Sequence, residues 1–147
     1  MITVSGAGGG VGKTLLIERL LAALPDAAAV KVQPRPRGIP ELVEEEDPRL
    51  HPGKDTGRYL AAGARRAYLL SGPPGELLPL ALRIVEQAGT GTVIFETNSL
   101  AAALEPDLAF FVEGEGVAKP GSERCRQMAD VLVARVAARG QEGRRSE

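Results

Sequence analysis

The sequence predicts an α/β domain in which a mostly parallel sheet carries helices on both faces, a three-layer arrangement. Short apolar runs alternate along the chain with segments in which apolar residues recur at helical spacing. The runs are apolar throughout, which is typical of parallel strands that are buried on both faces. A chain of 147 residues has the length of one domain. We assign residues 1–140 to this domain and residues 141–147 to a flexible C-terminal tail.

The first part of the chain contains a strand, a helix and a second strand. Residues 1–4 are mostly apolar, residues 15–24 place leucines and an isoleucine at helical spacing, and residues 28–32 form another apolar run. We expect these elements to form a right-handed βαβ unit. From residue 33 to about residue 56 prolines interrupt every pattern, so we predict a long loop, and such loops are usually functional or disordered.

The remaining elements continue the alternation of helices and strands. We predict a short helix at 57–62, a strand at 66–70 and a turn at 71–74. A strongly amphipathic helix follows at 77–88, and strands follow at 92–96 and 108–112. Residues 122–139 have a helical pattern, with a final strand at 130–133 as the alternative. Ligands of such sheets bind at the carboxyl ends of the strands.

A glycine-rich segment joins the first strand to the first helix. Its residues are Ala7, Gly8, Gly9, Gly10, Val11, Gly12, Lys13 and Thr14. Glycines permit positive φ angles, so several backbone N–H groups can converge on phosphate oxygens. Lys13 would reach the β- and γ-phosphates, and Thr14 would place its hydroxyl on Mg²⁺. This pattern predicts a P-loop NTPase fold that binds a nucleoside triphosphate, with a chance Gly-Lys-Thr in a glycine-rich turn as the alternative.

Glu96 is the acidic residue that such a phosphate site needs near its magnesium ion. It follows the apolar residues of the predicted strand at 92–96. A carboxylate there can hold a metal-bound water or polarise an attacking water. A charged cap at the strand end is the alternative. The polar residues after it, Thr97, Asn98 and Ser99, either face the γ-phosphate or cap a short helix at 100–104.

Composition excludes several classes of partner. The net charge is −1 with both signs mixed along the chain, so we expect neither nucleic acid nor a membrane surface as a partner. Cys125 is the only cysteine, which excludes an intrachain disulfide and fits a reducing compartment. His51 is the only histidine and makes no metal site by itself. We find no leader and no run long enough to span a bilayer, and we expect a cytoplasmic protein.

Several blocks together resemble the molybdopterin-guanine dinucleotide biosynthesis protein B (MobB) family. These are the glycine-rich segment, Lys31 at the end of the second strand, the proline-broken loop, the block from Pro52 to Thr56 and Glu96. The resemblance covers most of residues 2–113. It implies a P-loop fold, GTP with Mg²⁺ as the ligand, a homodimer and an accessory role in attaching a nucleotide to the molybdenum cofactor. It also implies that Asp55, which could otherwise only cap a helix, lies near the metal and the phosphates.

The chain departs from the family pattern at three places. Gln33, Arg35 and Arg37 stand where the family commonly has histidines, Thr97 stands where it usually has glycine, and no Asn-Lys-x-Asp signature for guanine is present. The preference for GTP over ATP therefore depends on the resemblance alone. Lys119 and Pro120, after the strand at 108–112, could border the base.

Three functions remain open at this point. The first is a slow GTPase whose further ligand is a molybdopterin-type or other anionic small molecule. The second is an ATP-dependent small-molecule kinase or ligase that uses Arg35 and Arg37 to hold an acidic substrate, although solvated loop charges are the favoured interpretation of these two arginines. The third is a nucleotide-gated metallochaperone or regulator in which the loop at 33–55 changes conformation. We assign phosphate binding and catalysis to Lys13, and catalysis and metal binding to Asp55 and Glu96.

Overall fold

The computed structural model describes residues 1–8, 12–51, 53–114 and 121–134. These residues form an α/β fold with one seven-stranded sheet. The strands are β1 (Ile2–Gly6), β2 (Ala28–Pro34), β3 (Glu41–Glu45), β4 (Arg66–Gly72), β5 (Val93–Glu96), β6 (Leu108–Val112) and β7 (Val131–Val133). The helices are α1 (Lys13–Ala23), α2 (Asp55–Ala61), α3 (Leu78–Ala88), α4 (Ala101–Leu104) and α5 (Ser122–Met128). None of the described helices has the length and apolar character needed to cross a membrane.

The strand order in the sheet is β3-β4-β2-β5-β1-β6-β7. All neighbouring strands pair in parallel except β3 and β4, which are antiparallel. Strand β5 lies between β1 and β2, so the predicted βαβ unit encloses a strand from a later part of the chain. The register pairs Lys31 of β2 with Glu96 of β5. The carboxyl ends of β1, β2 and β5 therefore meet at one edge of the sheet.

Helices pack against both faces of the sheet, as predicted. One face is covered by α1 and α2, where Ile17, Leu21 and Tyr59 contact residues such as Ala29 and Ile94. The other face is covered by α3 and α4, with α5 beside them. Successive residues of a strand point to opposite faces, so Val30 and Phe95 belong to the α3 side. Both faces are buried, which explains why the strands are apolar without alternation.

The prediction of a structureless loop from residue 33 to residue 56 is wrong. Strand β3 lies inside this segment and pairs along one side only, with β4. Its residues are exposed apart from the half-buried Glu45. Strand β4 also runs to Gly72, two residues beyond the predicted strand, and Gly72 has φ +142°. A Cβ atom at Gly72 would lie 2.8 Å from the Cα of Pro40, so the chain before β3 passes close to this glycine.

The prediction of one helix over residues 122–139 is also wrong. Helix α5 ends at Met128, and the alternative, a last strand, is what the structure contains in β7. Strand β7 pairs in parallel with β6, with Phe110 opposite Val131. Backbone pairing with β6 overrides the helical spacing of the valines and leucine in this segment. Residues 135–147 lie outside the described residues, and this includes the predicted tail.

Candidate functional site

Lys31 and Glu96 lie side by side on the face of the sheet that α1 and α2 cover. Strand alternation places Ala29 and Ile94 against these helices, and Lys31 and Glu96 follow them by two residues. Glu96 is the last residue of β5, at the edge where parallel sheets bind ligands, and Lys31, within β2, pairs with it in register. Thr14, in the first turn of α1, and Asp55, the first residue of α2, complete the group. We call these four residues the strand-end cluster.

Each of the two carboxylates in the strand-end cluster has one oxygen near the Thr14 hydroxyl and the other near the Lys31 ammonium group. The Thr14 hydroxyl lies 3.0 Å from Asp55 Oδ1 and 3.5 Å from Glu96 Oε1. On the other side, Lys31 Nζ lies 3.2 Å from Asp55 Oδ2 and forms an ion pair with Glu96 Oε2. The structure therefore brings Asp55 and Glu96 next to the threonine that the sequence analysis assigned to magnesium.

Tyr59, in α2, forms a buried hydrogen bond with Glu96. Its side chain is fully buried, and its hydroxyl donates a hydrogen bond of 2.7 Å to Glu96 Oε1. Burial raises the pKa of Tyr59 well above its usual value of 10.0, and the negative charge of Glu96 raises it further. The tyrosine therefore acts as a neutral donor. Glu96 itself is only 3% exposed, so its orientation is fixed by Tyr59 and Lys31 together.

Lys31 keeps its positive charge in this position. Its side chain is 26% exposed. Burial alone would lower the pKa of Lys31, but the charges and hydrogen bonds of Glu96 and Asp55 outweigh burial and raise the pKa above 10.5. The ammonium group therefore neutralises part of the negative charge of the two carboxylates.

Lys31 and Tyr59 belong to this site although no sequence motif gives either of them a role. A signal for Tyr59 was present, because it follows Asp55 by four residues and the two share one face of α2. Lys31 lies between buried residues of β2, where a charged residue is unusual and indicates a partner. In both cases the partner is Glu96, which is distant in sequence.

A cleft of about 350 Å³ opens beside the strand-end cluster. Its lining residues are Lys13, Lys31, Val32, Pro34, Pro74, Glu96, Thr97, Asn98 and Ser99. The lining therefore combines two lysines and a carboxylate with a valine and two prolines. The cleft can therefore accept an anion beside a cation, with space for an apolar group. We call it the strand-end cleft.

A second cleft, of about 400 Å³, lies at the opposite end of the strands. Arg65, Arg66 and Asp26 line it together with Tyr68 and Gln87. It contains none of the residues that the sequence analysis assigned to chemistry. The strand-end cleft is therefore the candidate site, in agreement with the position expected for ligands of parallel sheets.

The glycine-rich segment is only partly described. Gly9, Gly10 and Val11 lie outside the described residues. Gly8 is buried, and Gly12 has φ +95°, a left-handed conformation that favours glycine. Helix α1 begins directly afterwards at Lys13, so its first backbone N–H groups and its positive dipole end lie beside the strand-end cleft.

Asn98 and Thr97 fix the backbone at this edge of the sheet. The Asn98 side-chain amide accepts a hydrogen bond from the Gly6 backbone N–H and donates one to the Gly6 carbonyl, each 3.0 Å long. The Thr97 hydroxyl accepts a hydrogen bond of 2.9 Å from the Leu100 N–H before α4. The Thr97 hydroxyl thus holds the turn before α4, Asn98 ties the segment after β5 to the end of β1, and both residues also line the strand-end cleft.

Other candidate residues lie away from the strand-end cleft or are not described. Arg35 and Arg37 are exposed and do not line it. The Cys125 side chain is buried, and its Sγ lies 3.3 Å from the Asn98 carbonyl oxygen. Lys119 and Pro120 lie outside the described residues.

The oxygen atoms of the strand-end cluster suit Mg²⁺. This ion prefers hard oxygen ligands and usually binds through one or two carboxylates, with waters and substrate phosphates as its other ligands. A hydroxyl and two carboxylates meet this requirement. Among the described residues, no group of three or more His, Cys, Asp or Glu side chains is placed to hold a metal ion. The cluster therefore has the composition of a site in which a metal ion takes some of its oxygen ligands from the protein and the others from water or a bound phosphate.

Comparison with protein-family models, with curated proteins and with solved structures gives no match. The resemblance to MobB stays a prediction from the residues that carry it. What this edge of the sheet can do therefore depends on its own geometry: the strand-end cluster supplies a threonine hydroxyl, two carboxylates and Lys31, and it lies beside a cleft that is also lined by Lys13, the first residue of α1.

Proposed function

We propose that this protein is of the P-loop NTPase type and binds a nucleoside triphosphate with Mg²⁺ in the strand-end cleft. The observation that carries the proposal is the position of the Thr14 hydroxyl, 3.0 Å from Asp55 Oδ1 and 3.5 Å from Glu96 Oε1. These three residues come from distant parts of the chain. Thr14 directly follows Lys13, which lines the same cleft. A hydroxyl with two carboxylates supplies magnesium ligands, and the adjacent lysine supplies a phosphate ligand.

In this proposal each residue has a separate task. Lys13 and the N-terminus of α1 neutralise the phosphates, which favour positive charge and free N–H groups. Thr14 binds Mg²⁺ through its hydroxyl, and Asp55 and Glu96 bind the ion or its water ligands. The bound metal supplies charge neutralisation of the phosphates.

The geometry favours slow turnover. A residue that activates water needs an oxygen atom that is free to accept a proton. Oε1 of Glu96 already accepts the hydrogen bond of Tyr59, Oε2 is paired with Lys31 in the ligand-free protein, and the side chain is only 3% exposed. Glu96 is therefore better suited to orienting water ligands of the metal than to taking a proton. A weak NTPase activity fits this arrangement.

The resemblance to MobB extends the proposal to GTP, a homodimer and an accessory role in molybdenum cofactor maturation. The apolar residues that line the strand-end cleft also support the second candidate, a kinase or ligase. Val32, Pro34 and Pro74 lie beside Lys31 and could contact the body of a small acidic substrate. Substrate-dependent production of ADP would identify that function, whereas binding without turnover would identify a switch.

The deciding experiment is a calorimetric titration of the whole chain with non-hydrolysable GTP and ATP analogues, with and without Mg²⁺. Lys13→Ala should weaken triphosphate binding about 10- to 100-fold, since hydrogen bonds to charged groups contribute about 1.5–3 kcal/mol. Arg83→Ala is the matched control, because Arg83 is exposed on α3 and does not line the strand-end cleft. Equal affinity of Lys13→Ala and wild type would refute the proposal.

The magnesium site has its own pair of variants. Thr14→Ala removes the hydroxyl, and Thr14→Ser keeps it. We expect the alanine variant to lose the Mg²⁺-dependent part of the binding free energy and the serine variant to retain most of it. An about tenfold preference for GTP over ATP in the wild-type protein would favour the MobB-like role, and a preference for ATP would favour the kinase or ligase.

A further inference from the structure

The ammonium group of Lys31 lies between the two carboxylates of the proposed metal site. Asp55 Oδ2 is 3.2 Å from Lys31 Nζ, and Glu96 Oε2 forms an ion pair with the same nitrogen. The other oxygen of each carboxylate faces the Thr14 hydroxyl. Each carboxylate therefore has one oxygen that faces Lys31 and one oxygen that faces Thr14.

The Asp55 and Glu96 carboxylates lie close together, and two negative charges at short range repel each other. The pair is therefore stable only with positive charge beside it. Glu96 is almost completely buried, so water screens its charge poorly. Lys31 supplies one positive charge against two negative ones. The cluster then keeps one net negative charge and attracts a divalent cation less strongly than the two carboxylates alone would.

The ammonium group of Lys31 can also reach the strand-end cleft. It lines the strand-end cleft together with Lys13, and its side chain is 26% exposed. The four-carbon stem of a lysine is flexible, so the ammonium group can leave the carboxylates without a change in the backbone. A phosphate in the cleft would offer it a new negative partner, whereas a metal ion alone would not.

We propose that Lys31 is a resident counter-ion of the Asp55–Glu96 pair, which lowers the affinity of this pair for a free divalent cation and favours a cation that arrives with a triphosphate. This inference rests on the proposed Mg²⁺ site. Lys31 thus acts as a specificity residue: it excludes metal without nucleotide. The same ion pairs hold Asp55 and Glu96 in position before the ligand binds.

The test measures binding of Mn²⁺, as a probe for Mg²⁺, to the full chain without nucleotide. Lys31→Met keeps the length of the side chain and removes its charge, and Lys31→Arg keeps the charge as the matched control. We expect Lys31→Met to bind Mn²⁺ about tenfold more tightly than wild type, measured by electron paramagnetic resonance with Mg²⁺ as the competitor. The melting temperature of this variant should also rise more with Mg²⁺ than that of wild type. Lys31→Arg should behave like wild type.

Unchanged or weaker Mn²⁺ binding by Lys31→Met would overturn the inference. The nucleotide titrations of Lys13→Ala are a separate experiment, so the proposed function can survive this result. Conversely, a wild-type protein that binds no nucleotide would refute the proposed function, while tighter Mn²⁺ binding by Lys31→Met would still support the counter-ion role.

A measurement on the wild-type protein covers the case in which Lys31→Met does not fold. The chain has only four lysines, at positions 13, 31, 54 and 119, so ¹³C labelling of the lysine side chains gives a simple NMR spectrum. Lys31→Arg identifies the signal of Lys31. We expect this signal to shift saturably when Mg²⁺ and the GTP analogue are added together, and to shift much less with the same concentration of Mg²⁺ alone. A Lys31 signal that does not move while metal and nucleotide bind would contradict the proposal.

Discussion

Replacing Tyr59 by phenylalanine removes a single oxygen atom from a fully buried side chain. That oxygen donates the 2.7 Å hydrogen bond to Glu96 Oε1. A hydrogen bond to a charged group contributes about 1.5–3 kcal/mol. After the change, Glu96 Oε1 keeps only the more distant Thr14 hydroxyl, at 3.5 Å. We therefore expect Tyr59→Phe to lower the free energy of unfolding by about 2 kcal/mol at pH 7.

The difference between wild type and Tyr59→Phe should depend on pH. Burial and the charge of Glu96 raise the pKa of Tyr59 in the folded protein above its usual value of 10.0. The neutral hydroxyl therefore contributes its full stabilisation below pH 10, and this contribution is lost as the pH rises from 10 towards the folded-state pKa. Over this range wild type should lose about 1.4 kcal/mol per pH unit relative to the phenylalanine variant.

Urea unfolding of both proteins at pH 7 and at several values above pH 10 measures this difference. Tyr68→Phe is the control, because the Tyr68 hydroxyl contacts Arg66, whose side chain is 56% exposed. It should cost less than about 1 kcal/mol. The reasoning is refuted if Tyr59→Phe lowers the free energy of unfolding at pH 7 by no more than Tyr68→Phe does. It is also refuted if the difference in free energy of unfolding between wild type and Tyr59→Phe stays constant above pH 10.

Two further substitutions test the supports of the strand-end cluster, both by urea unfolding. Gly57→Ala in α2 should lower the free energy of unfolding by about 1–3 kcal/mol, because the added Cβ would lie 2.3 Å from the His51 carbonyl oxygen. Gly53→Ala is the control: a Cβ there would have no atom within 4 Å, and the free energy of unfolding should hardly change. Asn98→Ala should cost about 2 kcal/mol, because it removes both 3.0 Å hydrogen bonds to Gly6, and a loss below 0.5 kcal/mol, roughly the lower limit for one bond, would contradict this role.

The sequence predicted the buried strands because their character is local. Strands β1, β2, β4, β5 and β6 are apolar runs, and burial on both faces leaves no other residue types possible along most of their length. Strand β3 was not predicted because it is exposed, acidic and preceded by Pro40, and its place in the sheet depends on pairing with β4. Strand β7 is three residues long and follows the register of β6. Its apolar residues predicted a strand only as the alternative to a helix, because so short a run fits either pattern.

The candidate site was predictable in its parts but not in its arrangement. A threonine after glycine and lysine, and a glutamate after an apolar run, can be recognised from sequence. The position of Asp55 was implied only by a family resemblance, and the structure places it 3.0 Å from the Thr14 hydroxyl. The roles of Lys31 and Tyr59 depend on which strand lies beside β2. No local pattern states that this neighbour is β5, because strand order is decided by the packing of the whole sheet.

The insertion of β5 between β1 and β2 has a consequence for the newly synthesised chain. Lys31 and Glu96 are separated by 65 residues, and Gly6 and Asn98 by 92. While the ribosome has released only the first half of the protein, β1 and β2 lack the strand that joins them, and neither contact can exist. The proposed affinity for a nucleoside triphosphate should therefore appear late, after β5 has emerged and paired on both sides. A ligand added during refolding would stabilise only the finished sheet, which makes its binding a reporter of completed folding.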